Sequence, residues 1–101
     1  MGMANLQRMV MQAQQEVVRI QQELVDARVE GSAGGGVVSA TVNGKGDLVS
    51  VTIDPSAVDP SDPDMLQDLI VAAVTEAQRS AHELEQTRMA AATGGLRLPG
   101  M

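Results

Sequence analysis

Residues 36–53 carry the pattern that most restricts the fold. Val38, Ala40 and Val42 alternate with Ser39, Thr41 and Asn43, and Val49, Val51 and Ile53 alternate with Ser50 and Thr52. Strict alternation predicts two antiparallel strands with one buried and one polar face. The link Asn43-Gly44-Lys45-Gly46 supplies the positive-φ residues that a tight hairpin needs. Residues 28–33 leave room for a short first strand before the glycine run Gly34-Gly35-Gly36. A strand of about seven residues spans about 23 Å. The flanking segments are longer than that.

From Met3 to Ala27 the apolar positions Met3, Leu6, Val10, Ala13, Val17, Ile20, Leu24 and Ala27 follow one another at spacings of 3,4,3,4,3,4,3. That is a heptad seam. It predicts a helix over residues 4–27, about 36 Å long at the usual rise. Met9, Met11, Val18 and Val25 widen the apolar surface beyond one seam, so the helix is expected to touch more than one neighbour. After the hairpin, Asp54-Pro55 ends the last strand and Asp59-Pro60-Ser61-Asp62-Pro63-Asp64 prepares a second helix. Ser61 with Asp64 resembles a capping box, and Asp62 before Pro63 is the alternative cap. The acids suit the positive end of a helix dipole and lack the oxygen spacing of a calcium loop. Leu66, Ile70, Ala73, Ala77, Leu84 and Ala91 share one seam of this helix, with Leu69, Val74 and Ala81 beside it. Gly94 is a natural stop, and residues 94–101 are expected to be a flexible tail. The fold class is therefore α+β: an antiparallel, hairpin-based sheet flanked by two long helices.

The chain of 101 residues contains no Phe, Trp or Tyr, so Leu, Ile and Met are its largest core side chains. Aromatics normally supply the largest single burials, and small domains already bury a modest share of their surface. With no cysteine and one histidine, neither a disulfide nor a metal clip can compensate, which leaves a homodimer as the expected remedy. No stretch approaches the roughly 20 apolar residues of a membrane span, and no signal peptide opens the chain. Leu6 stands where a myristoylation motif wants Ser or Thr. Met3 is an alternative start, with residues 1–2 then a vector remnant. The expectation is a soluble, intracellular protein.

The formal net charge is −6, which opposes nucleic-acid binding when taken as a total. The distribution is polar, however. All thirteen Asp and Glu lie between Glu16 and Glu85, whereas Arg8, Arg88 and Arg97 lie in end segments without an acid. Arg19 sits between Glu16 and Glu23, and Arg79 between Glu76 and Glu83, at the spacings of surface ion pairs. Arg88 has Glu85 one turn back, Arg8 has no acid within a turn, and Lys45 at the hairpin tip reads as a solubilising turn residue. If the helices run antiparallel, the start of the first and the end of the second share a pole that carries Arg8, Arg88 and Arg97. Clustered cations within about 8 Å of a phosphate backbone are enough to bind it at physiological salt.

Several segments resemble the YbaB/EbfC family of bacterial nucleoid-associated proteins. They are Gln12-Ala13-Gln14, Val42-Asn43-Gly44-Lys45-Gly46, Val51-Thr52-Ile53-Asp54-Pro55, the run Met65-Leu66-Gln67-Asp68-Leu69-Ile70-Val71-Ala72-Ala73-Val74, and the tail Gly94-Gly95-Leu96-Arg97-Leu98-Pro99-Gly100. The resemblance covers nearly the whole chain in order. It implies an α-β-β-β-α subunit that dimerises into a tweezer shape and holds double-stranded DNA between or along protruding helices. It also implies a cytoplasmic, nucleoid location and a role in bending, bridging or coating DNA, with effects on transcription and repair. On this reading residues 1–93 form one dimerisation and DNA-binding domain. Relatives often carry several lysines on helix one and late in helix two, where this chain has Gln, Val and Ala.

The DNA-binding candidates are Arg8, Arg88 and Arg97, and the expected affinity is modest, salt-dependent and nearly sequence-blind. No aromatic platform, recognition helix or zinc motif offers base readout. A wedge by Leu96 or Leu98 into a minor groove is a weaker idea. Enzyme readings fail on inventory. His82 reads as a surface or seam histidine, nothing marks a nucleophile with its base, and Lys45 lacks the glycine spacing of a phosphate loop. The Gly31–Gly36 run opens a strand rather than a helix, so it lacks a phosphate-cradling dipole. No cofactor, metal, membrane or small-molecule substrate is expected. The alternative function is a non-catalytic adaptor of the same dimeric fold, whose methionine-flanked helix one binds a protein instead.

Overall fold

A computed structural model describes residues 2–93. The elements run α1 (Met3–Asp26), β1 (Val29–Ala33), β2 (Val38–Val42), β3 (Leu48–Ile53) and α2 (Pro63–Thr93), with short 3-10 turns at Gly34–Gly36 and Pro55–Ala57. This is the α-β-β-β-α order. The tail 94–101, with the Gly94 stop, Arg97, Leu96 and Leu98, lies outside the described residues.

The three strands form one antiparallel sheet in the order β1-β2-β3. Val29 pairs with Val42 and Ala33 with Val38 across β1 and β2; Val38 pairs with Ile53 and Ala40 with Val51 across β2 and β3. The alternation in β2 resolves as expected, since Val38, Ala40 and Val42 are all buried. In β3 it resolves only in part. A register irregularity opposite Thr41 and Val42 pairs Thr41 with Ser50 and Val42 with Leu48, so Val49 is the extra residue of a bulge. Val49 is 49 % exposed, while Val51 and Ile53 are half-buried.

Helix α2 closes the core. It lays Ala73, Ala77 and Ala81, one turn apart and all fully buried, against β1 and β2. Small side chains let a helix approach a sheet closely, and the approach is closest at Gly31. A Cβ on that residue would stand 2.3 Å from the Ala77 nitrogen and 2.6 Å from the Ala73 oxygen. Leu66, Leu69, Ile70 and Val74 pack around the edge of this contact. Asp62, rather than Ser61, caps α2: its Oδ1 accepts from the Met65 N–H at 3.2 Å with Pro63 in the first helical position. Ser61 instead donates to Asp59 through both its N–H and its hydroxyl.

Helix α1 forms as the heptad seam predicts, yet only Ile20 and Leu24 of that seam are buried within the chain. Met3, Leu6 and Val10 are 77 %, 61 % and 44 % exposed. The first half of α1 is therefore an arm. The protein measures 71 × 27 × 16 Å, a long shape whose length comes from helices that outrun the sheet.

Candidate nucleic-acid interface

The arm is fixed at its base by the β2–β3 turn. Asn43, buried at 8 % exposure, organises this turn. Its Oδ1 accepts from the N–H groups of Lys45 and Asp47 at 2.9 and 3.0 Å, and its Nδ2 donates to Asp47 Oδ2 at 3.2 Å. Gly46 takes the expected positive φ of 88°. Gly44 does not, and is needed for another reason. Its N–H donates to the Leu24 carbonyl at 2.7 Å, and a Cβ there would stand 2.7 Å from that same oxygen. The turn thus seats directly on the last turns of α1.

Three side chains complete the clamp. Lys45, which the sequence suggests is a free solubilising residue, donates to Glu85 Oε2 at 2.6 Å and also to Gln21 Oε1. It ties the turn to both helices at once. Gln78 Nε2 donates to the Gly46 carbonyl at 3.1 Å. Arg28 donates to the Val25 and Ala27 carbonyls at 3.2 and 2.9 Å, satisfying acceptors at the end of α1. The clamp was not legible in advance because it joins three elements far apart in sequence. The one available signal was Lys45 standing between two glycines, and that fits an exposed turn equally well.

The cations fall into two groups. Arg19 donates to Glu16 and to Glu23, the latter at 2.5 Å, and Arg79 donates to Glu76, as their spacing predicts. The Glu16 hydrogen bond, then the charges of Glu16 and Glu23, raise the Arg19 pKa above its ordinary value. These guanidiniums are occupied. Arg88 does not use Glu85, which Lys45 takes, and faces Glu23 of α1 at 3.9 Å. Among the described residues Arg8 makes no ion pair or side-chain hydrogen bond, and it projects from the exposed arm.

The shared pole is therefore only partly realised. The start of α1 and the end of α2 do point the same way, but the pairing of Arg88 with Glu23 sets the register between the helices. Arg8 lies fifteen residues from Glu23, about 22 Å further out along α1. Arg8 and Arg88 make a line along the arm rather than a cluster. His82 is exposed on α2, beside a small recess lined by Gly44, Lys45, Gly46, Gln78 and Glu85. Asp54 and Asp59 are engaged as turn acceptors. The Ser56 N–H lowers the Asp54 pKa, and the Ser61 hydroxyl followed by its N–H lowers that of Asp59. Among the described residues no helix is long and apolar enough to cross a membrane.

Comparison with known proteins gives a consistent result. The model of the YbaB/EbfC DNA-binding family matches residues 1–96. A nucleoid-associated protein of Moorella thermoacetica is 52 % identical over 103 residues, covering 99 % of each chain. One from Saccharopolyspora erythraea is 51 % identical over 112 residues, covering 99 % of this chain and 97 % of the relative. The crystal structure of an uncharacterized protein from Helicobacter pylori superposes with a TM-score of 0.75 at 24 % identity, covering 96 % of this chain and 99 % of that one, which bears on the fold alone.

Proposed function

The chain belongs to the YbaB/EbfC DNA-binding family, and from that premise we propose that it is a nucleoid-associated protein of the bacterial cytoplasm that binds duplex DNA as a homodimer. The binding elements are the helix ends, sequence preference is slight, and no chemistry is performed. The observation that carries this reading is the segregation of charge along the arm. Residues 3–15 and 86–93 hold Arg8 and Arg88 with no acid, while every carboxylate side chain belongs to the segment between. Phosphates would be met by the arms, with the acidic body held away. Arg97, outside the described residues, is a further cation of the acid-free C-terminal segment.

The test compares two substitutions that remove the same charge. Arg8→Gln takes a cation without an acid partner from the arm, and Arg19→Gln takes one already engaged by Glu16 and Glu23. Binding of a labelled random-sequence duplex should weaken several-fold for Arg8→Gln and hardly at all for Arg19→Gln. With two copies per dimer, Arg8→Gln should also make the log–log salt slope shallower by about two. Equal effects of the two variants would reduce the interaction to net charge and sink the arm model.

A second reading has its own observation. Met11 and Val18 of α1 are 59 % and 56 % exposed, which suits an adaptor whose arm meets a protein. In that case Val18→Asp would abolish partner binding and Arg8→Gln would leave it intact.

A further inference from the structure

The apolar seam of α1 is covered along only part of its length. Ile20 and Leu24 are buried where Leu84 and Arg88 of α2 lie beside them. Val17 and Ala13 are half-buried, and Val10, Leu6 and Met3 are progressively more exposed. The cause is the end of α2. The two helices run antiparallel, with Arg88 facing Glu23 and Met89 Sδ standing 3.9 Å from Gln21 Nε2. Thr93, four residues beyond Met89, therefore stands about level with Val17. Past that point α1 carries an open groove of about 580 Å³, lined by Val10, Ala13, Gln14, Val17 and Val18. All five belong to α1, and α2 stops too soon to form a second wall.

The sequence continues past α2 as Gly94-Gly95-Leu96-Arg97-Leu98-Pro99-Gly100-Met101. Two glycines in succession oppose a further helical turn and let the chain change direction. Pro99 biases Leu98 toward extended backbone. In an extended segment Leu96 and Leu98 share one face and Arg97 takes the other. Their spacing fits the seam: two extended residues rise about 6.6 Å, and the four helical residues from Val10 to Leu6 rise about 6 Å. The reach fits as well. Leu96 lies three extended residues from Thr93, about 10 Å, and Val10 lies seven helical residues from Val17, also about 10 Å. By the same measure Leu98 comes level with Leu6, and Arg97 with Arg8.

We propose that residues 96–98 dock in extended form on the exposed seam of α1 in the same chain, with Leu96 against Val10 and Leu98 against Leu6. The occupant is the chain's own segment because its tether begins where α2 stops covering the seam. A segment on so short a tether meets the seam at a millimolar effective concentration, far above that of a second molecule at micromolar protein. The docked segment continues the α1–α2 interface outward along the arm. It shields an apolar strip from water and turns Arg97 away from the seam, at the level of Arg8. The docking makes no use of DNA, so it stands or falls separately from the functional reading above.

The chain has neither cysteine nor tryptophan, so introduced ones report without background. In the full chain, Leu98→Cys is combined with Leu6→Cys, and separately with Asn5→Cys as the reference. Asn5 is one residue away from Leu6, on the side of α1 turned from the seam. Under mild oxidation the Leu6 pair should close a disulfide within one chain at least tenfold faster than the Asn5 pair. The readout is loss of free thiol without a doubling of mass on a denaturing gel. Leu98→Trp supplies a second readout that leaves Leu6 in place. Acrylamide should quench its indole at least threefold less than in the same variant carrying Val10→Asp, with the helical circular dichroism of both retained. Equal closure rates for the two pairs, or equal quenching with and without Val10→Asp, would take the segment off the seam and overturn the proposal. So would disulfides formed mainly between chains, because the seam would then be covered by a second copy.

Discussion

Replacing Gly31 with alanine adds a single methyl group at the point where α2 crosses β1. That carbon would stand 2.3 Å from the Ala77 nitrogen, 2.6 Å from the Ala73 oxygen and 2.9 Å from the Ala77 Cα. Non-bonded heavy atoms sit comfortably at about 3.5–4.0 Å. All three obstacles are backbone atoms of α2, so no rotamer change relieves them, and the helix has to rise by about 1 Å. A gap of that size forfeits about a quarter to a half of the dispersion energy along the contact. Here the contact includes the fully buried Ala73, Ala77 and Ala81 facing Val38, Ala40 and Val42. We expect a loss near the top of the range for overpacking, about 3 kcal/mol. For a domain of this length that corresponds to a fall in Tm on the order of 15 °C. The assay is thermal unfolding followed by helical circular dichroism at fixed protein concentration, because self-association would make Tm concentration-dependent. Gly35→Ala is the control. Gly35 has φ of +73° with nothing within 4 Å, so its substitution carries only the left-handed backbone penalty of about 1–2 kcal/mol. A Gly31→Ala protein as stable as Gly35→Ala would refute the close helix–sheet packing described above.

Asp62→Ala removes the N-terminal cap of α2 while keeping Pro63 and should cost about 1 kcal/mol in urea unfolding. Lys45→Met breaks the ties to Gln21 and Glu85; with Lys45 one-third exposed the loss should stay below about 1 kcal/mol and shrink in high salt. Asp54 and Asp59 have pKa values held below the ordinary 3.8, so their contribution to stability is complete above that value and is lost as the pH falls through the lower folded-state values. Asp59→Asn should therefore be less stable than wild type at neutral pH, and urea midpoints should show the difference narrowing as the pH falls below 3.8.

The fold was largely legible because its signals are local. The heptad spacing from Met3 to Ala27 marks α1, the alternation through Val38–Val42 marks a strand with one buried face, and Asp62-Pro63 is one of the two caps that the sequence offers α2. What escaped depends on contacts between distant elements. In the sequence Gly31 reads as the start of a glycine run that opens a strand and Gly44 as a turn glycine, yet both serve close approach, one to α2 and the other to α1. The seam of α1 announces a partner but cannot say whether that partner lies in the same chain, and most of it does not find one among the described residues. Helical spacing, which is visible in the sequence, offers Glu85 as the partner of Arg88. The competing claims of Lys45 on Glu85 and Glu23 on Arg88 appear only when the two helices are set in register. The same register explains why Arg8 and Arg88 share an end of the molecule without sharing a site.

The most direct test of DNA binding by weakly cationic arms is the salt dependence of wild-type affinity for a labelled duplex. Arg8, Arg88 and Arg97 on two protomers allow about six phosphate contacts, which gives a log–log slope of about −5. Raising salt from about 50 to about 200 mM should then weaken binding on the order of a thousandfold, and to a similar degree on unrelated sequences. Binding that is tight but nearly indifferent to salt, or absent at the lower concentration from protein that is folded and dimeric, would contradict the account.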